Sequence, residues 1–278
     1  MLSYRHSYHA GNFADLLKHL SQLYILSYLN HKDKPWCYLD THSGAGLYSL
    51  RSEQATKTSE HQQGIQRLFD QPLQHPLLQE YKTLVESFNK ASRLDFYPGS
   101  PAMAAQLARP TDRLQLHELH PSDHQILAKC FEKDRRVKVS ESDGFAGLKA
   151  NLPPRERRGL ILIDPSYEIK EDYNKVLQAV TDGLQRFATG TYAIWYPVLQ
   201  RQQTESWIKR FRDAGIPDLL RIEHCPLPDN SGFGMTGSGM LVINPPYSMA
   251  DDFRKLLPEL NQLLRQGSEG HFRLDKLS

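Results

Sequence analysis

A chain of 278 residues, 39% hydrophobic and 24% charged, is long enough to bury a large core and has the composition of a globular protein. A net charge of only +2 gives weak support for nucleic-acid binding, local clusters such as Arg155/Arg157/Arg158 reading as solvated surface, and three isolated cysteines (Cys37, Cys130, Cys225) with no Cys-x-x-Cys pair argue against a disulfide framework or structural zinc. The apolar runs are too short to span a membrane and residues 1–9 lack the apolar stretch of a secretion signal. The twelve histidines show no metal-binding spacing, so a cytoplasmic protein with no membrane and no metal partner is expected.

In chain order, residues 12–30 predict a helix. Asn12 can cap it, and Leu16, Leu17, Leu20, Leu23 and Leu29 form an apolar face. A strand over 36–41 comes next and runs into Asp40-Thr41-His42-Ser43-Gly44-Ala45-Gly46. Two glycines two apart after a strand suit close backbone approach to a ligand, and the lack of a following Lys-Ser/Thr excludes a phosphate-binding P-loop. His42 in this turn reads either as a hydrogen-bonded turn residue or as a ligand contact. The next strand begins only at 114, far beyond the spacing of a simple βαβ unit. Within the surplus, Leu77, Leu78, Tyr81, Leu84, Val85 and Phe88 follow one helix face. Residues 51–94 are therefore expected to be a small helical subdomain inserted into a domain made of 1–50 and 95–278, serving either core extension or substrate docking.

Pro98-Gly99-Ser100-Pro101 opens a helix over 102–108 with Ser100 as its expected N-cap, and such a helix start also suits a carboxylate. A strand over 114–118 ends in Glu118, the position from which an acidic residue accepts ribose hydroxyls in nucleotide-binding α/β folds. The strand over 137–140 leads to Asp143-Gly144, which by itself is also a turn signal. The apolar strand over 160–163 delivers Asp164-Pro165-Ser166-Tyr167 to the carboxyl edge of a sheet, where α/β proteins bind ligands. Helical patterns over 173–187 and 203–214 alternate with strands over 191–196, 219–224 and 240–243. This alternation predicts an α/β fold: a seven-stranded, mostly parallel sheet with helices on both faces and an extra N-terminal helix.

Residues 39–46, Asp143-Gly144 and Asp164-Pro165-Ser166-Tyr167 resemble motifs I, III and IV of the adenine-N6 methyltransferases, with Ser166 in place of a usual second proline. That resemblance implies a Rossmann-like class I methyltransferase fold and S-adenosylmethionine as cofactor. It also implies that Asp164 and the Pro165 carbonyl hold a target amino group on which Tyr167 stacks. Asn244-Pro245-Pro246-Tyr247 matches motif IV letter for letter, but it comes after the last strand, which is antiparallel in this fold and ends on the edge away from the cofactor. Asp164 is therefore the expected catalytic residue.

The segment Tyr4-Arg5-His6-Ser7-Tyr8-His9-Ala10-Gly11-Asn12-Phe13-Ala14-Asp15, with Leu17-Lys18-His19, closely resembles the start of the bacterial 23S ribosomal RNA adenine-N6 methyltransferases that modify adenine 2030. The likeness continues through Tyr97-Pro98-Gly99-Ser100-Pro101, Glu118-Leu119-His120-Pro121 and Trp195-Tyr196-Pro197. It implies cofactor contacts from His19, His42, Ser100, Glu118, Asp143, Gly144 and Asp164, and a substrate side made by Tyr4, Lys18, Pro165 and Tyr167. The implied partner is 23S ribosomal RNA. RNA duplexes hide their base edges, so the expected substrate is RNA with a reachable adenine, before the subunit is fully assembled. A DNA adenine-N6 methyltransferase, a nucleotide-dependent oxidoreductase and a non-catalytic RNA-binding protein remain open at this point.

Overall fold

A computed structural model describes residues 5–90, 93–229, 234–267 and 269–278. Tyr4, expected on the substrate side, lies outside the described residues. The strands of the central sheet are β1 (Cys37–Asp40), β4 (Arg113–Glu118), β5 (Val137–Glu141), β6 (Gly159–Ile163), β7 (Thr191–Val198), β8 (Leu219–Cys225), β9 (Gly237–Ile243) and β10 (His271–Lys276). These eight lie in the order β5-β4-β1-β6-β7-β9-β8-β10. Strands β5, β4, β1, β6 and β7 are mutually parallel, while β9 pairs antiparallel with both β7 and β8. That is the class I methyltransferase order with one additional edge strand.

The additional strand corrects the expected count of seven. β10 pairs antiparallel with β8 over six residues. Its sequence, His-Phe-Arg-Leu-Asp-Lys, alternates charged and apolar residues without the apolar run of a central strand. A charged, half-exposed edge strand resists further pairing, and its apolar signal is correspondingly weak. A separate two-stranded sheet joins β2 (Leu47–Ser49) to β3 (Phe96–Pro98). It brings the two ends of the segment between them together, with the Leu50 amide donating to the Asp95 carbonyl at 2.9 Å.

Neighbouring residues on each central strand face opposite layers, as the two-residue period of a strand requires. Tyr38, Leu160 and Leu162 enter one core; Leu39, Ile161 and Ile163 enter the other. The second core is covered by α8 (Asp172–Arg186) and α9 (Arg201–Asp213). The first is covered by α1 (Phe13–Asn30), α5 (Ser100–Leu107) and α10 (Met249–Leu264). Between β2 and β3 lie α2 (Glu53–Thr58), α3 (Ile65–Asp70) and α4 (Pro76–Glu86), whose Ile65, Leu68, Leu78, Tyr81 and Val85 join the same core as α1. Completing the chain, α6 (Pro121–Phe131) comes after β4 and α7 (Gly144–Asn151) after β5.

Asn12 caps α1 as expected, its side chain accepting from the amides of Ala14 and Asp15. The helix differs from a one-faced amphipath. Asp15, Lys18, His19, Ser21 and Gln22 are buried along with its leucines, because the sheet covers one side and α4 and α5 the other. Each fully buried leucine contributes about 1.5–3 kcal/mol, enough to seat the helix; the buried polar groups must then find partners. No helix among the described residues is long and apolar enough to cross a membrane.

Candidate active site

Strands β1, β4, β5 and β6 end side by side, so the residues just past their ends meet around one cavity of about 240 Å³. His42, Glu118, Asp143 and Asp164 all line it, together with His19, Ser100, Gly144, Lys18 and Pro165. Every cofactor-side residue expected from the sequence is therefore brought to one place.

Local chemistry explains how each is held. Gly44 adopts φ +59, where a Cβ would overlap the Tyr48 hydroxyl, and this turn sends the Gly44 amide to Glu118 Oε2 at 2.7 Å. The other carboxylate oxygen accepts from the His120 amide at 2.7 Å. Burial pushes the Glu118 carboxyl above its usual range, and these two amides hold it down in part. His42 shares a 2.8 Å hydrogen bond between Nδ1 and Thr41 Oγ1, sets its ring edge against Phe145, and is lowered by burial to a pKa of about 4. It is a neutral imidazole at physiological pH. Asp143 caps α7 by accepting from the Phe145 amide. Gly144 is required for packing: a Cβ there would overlap the Thr41 carbonyl at the end of β1.

Ser100 departs from its expected role as N-cap. Gly99 holds the cap position and Ser100 is the first residue of α5. Its hydroxyl donates instead to Asp40 Oδ2 at 2.7 Å, alongside the Tyr38 hydroxyl at 2.7 Å. Asp40 is fully buried, and burial raises its pKa to about 6.

Asp164 stands where this cavity meets a second one. Lys18, Asp164, Ser166, His6 and Glu168 line both, and the second is completed by Tyr167, Trp195, Pro197, Leu199 and Met235 among others. Lys18 Nζ donates to Asp164 Oδ2 at 2.6 Å and lies 2.8 Å from Asp15 Oδ1. Asp164 Oδ1 has no hydrogen-bond partner among the described residues. Asp15 also receives His6 Nε2 at 2.9 Å and the Gly11 amide at 2.8 Å. Against the cost of burial, His6 and Lys18 hold Asp15 well below its ordinary pKa, and the carboxylates of Asp15 and Asp164 hold Lys18 well above its own. The pair is ionised.

Tyr167 is buried at φ +55, with its hydroxyl donating to the Trp195 carbonyl at 2.7 Å and its ring among Tyr173, Trp195 and Trp207. It forms part of the wall of the second cavity. The rival motif is placed as the strand order requires. Ile243 pairs with Tyr192 at the start of β7, so Asn244 sits at the opposite sheet edge from Asp164, where its amide donates to the Ala188 and Gly190 carbonyls at 2.8 Å.

The sequence assigns no site role to Asp15, His6 or Tyr97. A lone aspartate four residues after a glycine carries no signal until the fold buries it. Outside the cavity linings, Glu223, Cys225 and His271 bring potential metal-ligating atoms within 4.8 Å of one another. Arg201 already occupies that cluster, 2.7 Å from Glu223 Oε1 and 3.4 Å from Cys225 Sγ, and a guanidinium there opposes a cation.

Residues 33–278 match the family model described as Ribosomal RNA large subunit methyltransferase D, RlmJ. The chain is 51% identical over 271 residues to the Ribosomal RNA large subunit methyltransferase J of Escherichia coli strain K12, covering 98% of this chain and 97% of that protein. It is 49% identical over 265 residues to the protein of the same name from Haemophilus influenzae, covering 95% and 94%. The chain belongs to this methyltransferase family. A crystal structure of a Legionella pneumophila protein, 39% identical, superposes with a TM-score of 0.89 over 96% of this chain and 98% of that one.

The cofactor of this methyltransferase fold is S-adenosylmethionine, and the cavity fits it. Glu118 offers a carboxylate for a ribose diol and Asp143 an acceptor for an adenine amino group. His19 Nε2 is a buried ring nitrogen with no partner among the described residues. The turn at Gly44 lets backbone approach the ligand closely. When bound, the cofactor supplies an electrophilic methyl group.

Proposed function

We propose that this protein methylates N6 of an adenine in 23S ribosomal RNA, and that Asp164 is the residue at which the chemistry is organised. The observation carrying this reading is the position of Asp164 at the junction of the two cavities, with one carboxylate oxygen tied to Lys18 and the other unpartnered among the described residues. The first cavity takes the cofactor through His19, His42, Ser100, Glu118, Asp143 and Gly144. The second, walled by Tyr167, Trp195, Pro197, Leu199 and Met235, takes the flipped base.

An exocyclic adenine nitrogen is a weak nucleophile because its lone pair is delocalised into the ring. Asp164 Oδ1 accepts one amino hydrogen and the Pro165 carbonyl the other. These two acceptors would favour a tetrahedral nitrogen and stabilise the positive charge it gains on taking a methyl group from the sulfonium, which would leave as the neutral thioether while the nitrogen gives up one proton. Lys18 holds the carboxylate in one orientation. Tyr167, locked by its hydroxyl, gives the base slot a rigid aromatic wall, and Tyr4 joins the substrate side.

We treat residues 51–94 as an inserted helical subdomain and 1–50 with 95–278 as the catalytic domain. The unpaired cysteines suit a reducing cytosol. The test is methyl transfer from labelled cofactor to transcribed 23S RNA, with the product mapped by mass spectrometry and a sequence-matched DNA as the second arm. N6-methyladenine in RNA alone supports this function; transfer to DNA alone, or RNA binding that persists without any transfer, refutes it.

A further inference from the structure

Three buried polar groups form a chain that ends at the cofactor cavity. Tyr81 on α4 lies with its hydroxyl 2.7 Å from that of Tyr97 on β3, and the Tyr97 hydroxyl lies 2.7 Å from His19 Nδ1 on α1. All three side chains are fully buried. His19 lines the cavity, and with Nδ1 taken, Nε2 is the ring nitrogen left for a ligand.

The hydrogens in this chain can be assigned by counting donors. A neutral imidazole carries one N–H, and each phenol one O–H. Burial holds the His19 pKa well below its ordinary value, so the ring is neutral. If Nδ1 carried the proton, it would donate to Tyr97, Tyr97 would donate to Tyr81, and the Tyr81 hydroxyl would be a buried donor with no acceptor among the described residues. In the reverse direction Tyr81 donates to Tyr97, Tyr97 donates to Nδ1, and both phenols are satisfied. Only Nε2–H then remains, and it belongs to the ligand. Each direction leaves one buried donor without a protein partner among the described residues, Tyr81 O–H in the first and His19 Nε2–H in the second; His19 lines the cavity, where a ligand can accept from it, and Tyr81 does not, which decides between the two directions.

We infer that Tyr97 and Tyr81 are positioning residues that fix His19 as the Nε2–H tautomer, making it a dedicated donor to the carboxylate of S-adenosylmethionine. That carboxylate is the anionic group of the cofactor's methionine end; an ammonium group, itself a donor, would not pair with Nε2–H. The inference rests on the assignment of His19 to the cofactor site. It gives the insertion a function beyond core filling, since Tyr81 lies within it and sets the polarity of the relay.

The experiment is nitrogen-15 NMR of histidine-labelled, cofactor-free protein, with the His19 signals assigned by their loss in His19→Gln. The expected pattern is a protonated Nε2 and an unprotonated Nδ1. Tyr97→Phe, checked for folding by circular dichroism, should release the tautomer toward Nδ1–H and weaken S-adenosylmethionine binding about tenfold by calorimetry, the effect of one lost polar pairing. Tyr81→Phe should weaken it a few-fold. A protonated Nδ1 in the unmodified protein overturns the assignment, as does a Tyr97→Phe protein with unchanged tautomer and affinity. His19→Ala with unchanged affinity overturns the placement of His19 at the cofactor, a failure read separately because the tautomer is measured without cofactor.

Discussion

Lys18 Nζ lies 2.6 Å from Asp164 Oδ2 and 2.8 Å from Asp15 Oδ1, so one buried cation is shared between the carboxylate at the junction of the two cavities and a carboxylate inside the first helix. Removing one member of a buried ion pair leaves an uncompensated charge, typically at a cost of about 3–5 kcal/mol. Asp15→Ala should lose stability of that order in urea unfolding. It should also slow methyl transfer, because Lys18 and His6 lose the anchor that orients them. Asp15→Asn, which keeps the shape and the Gly11 hydrogen bond, should recover part of the stability and little of the rate. A fully active Asp15→Ala protein would show that Lys18 is held adequately by Asp164 alone.

Asp164→Ala should abolish methyl transfer, a loss of at least about a hundredfold for a group that stabilises developing charge, with the fold retained. Asn244→Ala should keep its activity. It removes two hydrogen bonds to the Ala188 and Gly190 carbonyls at the far sheet edge and should cost stability on the order of 1–2 kcal/mol. Turnover and thermal unfolding measured side by side would separate the two sites; inactivity of Asn244→Ala with normal cofactor binding would contradict the assignment.

Cofactor affinity should respond to both ends of the cavity floor. Glu118→Ala is expected to weaken S-adenosylmethionine binding by about 1–3 kcal/mol, the value of a lost polar pairing to a charged group. Gly144→Ala should be more disruptive than its size suggests, since the new Cβ meets the Thr41 carbonyl backbone and not a side chain that can swing away. Calorimetry and unfolding midpoints for both variants check these statements, and a Gly144→Ala protein of unaltered stability would contradict the close packing of α7 on β1.

Buried His224 should cost the protein stability on acidification. His224 is fully buried, and burial lowers its pKa to about 4, below the unfolded value near 6.5. The unfolded chain therefore binds a proton that the native chain refuses. The stability this neutral histidine retains is complete above pH 6.5 and declines as pH falls toward 4, by on the order of 3 kcal/mol. Urea unfolding at a series of pH values should show this contribution as a shallower slope in His224→Gln, with His42, which burial also lowers to about 4, still contributing in both proteins; equal slopes in both proteins would place the dependence elsewhere.

The substrate should be RNA whose target adenine can leave its stack. A short hairpin carrying the target, or protein-free 23S RNA, should be methylated, and an assembled subunit in which the adenine is packed should not. With a net charge of +2 the enzyme has little long-range field, so the preference is expected to come from base accessibility more than from bulk charge. Efficient methylation of mature subunits with none of free RNA would refute the proposed timing.

The sequence by itself determined seven strands of the central sheet, their alternation with helices, and the chemical character of each strand end; the charged edge strand β10 and the short β2 and β3 carried too little apolar signal to be read. Those signals are local: a run such as Gly-Leu-Ile-Leu-Ile reads as a buried strand, and the residues just after it must emerge at the sheet edge. His42, Glu118, Asp143 and Asp164 could therefore be ordered around one site without a structure, and Asp164 preferred over Asn244 from strand direction alone. Tertiary structure decided what lies between distant segments. Lys18 and Asp164 are 146 residues apart, and nothing in either segment encodes their 2.6 Å contact. Helix α1 reads as one-faced because its period records only its leucines, whereas its buried Asp15, Lys18 and His19 become intelligible once the sheet, α4 and α5 close over it. Ser100 moved from a cap to a partner of Asp40 for the same reason: a hydroxyl satisfies whichever polar group the fold buries beside it. Apolar periodicity is a property of neighbours in sequence, but the pairing of buried polar groups is a property of neighbours in space, and the site is made of the latter.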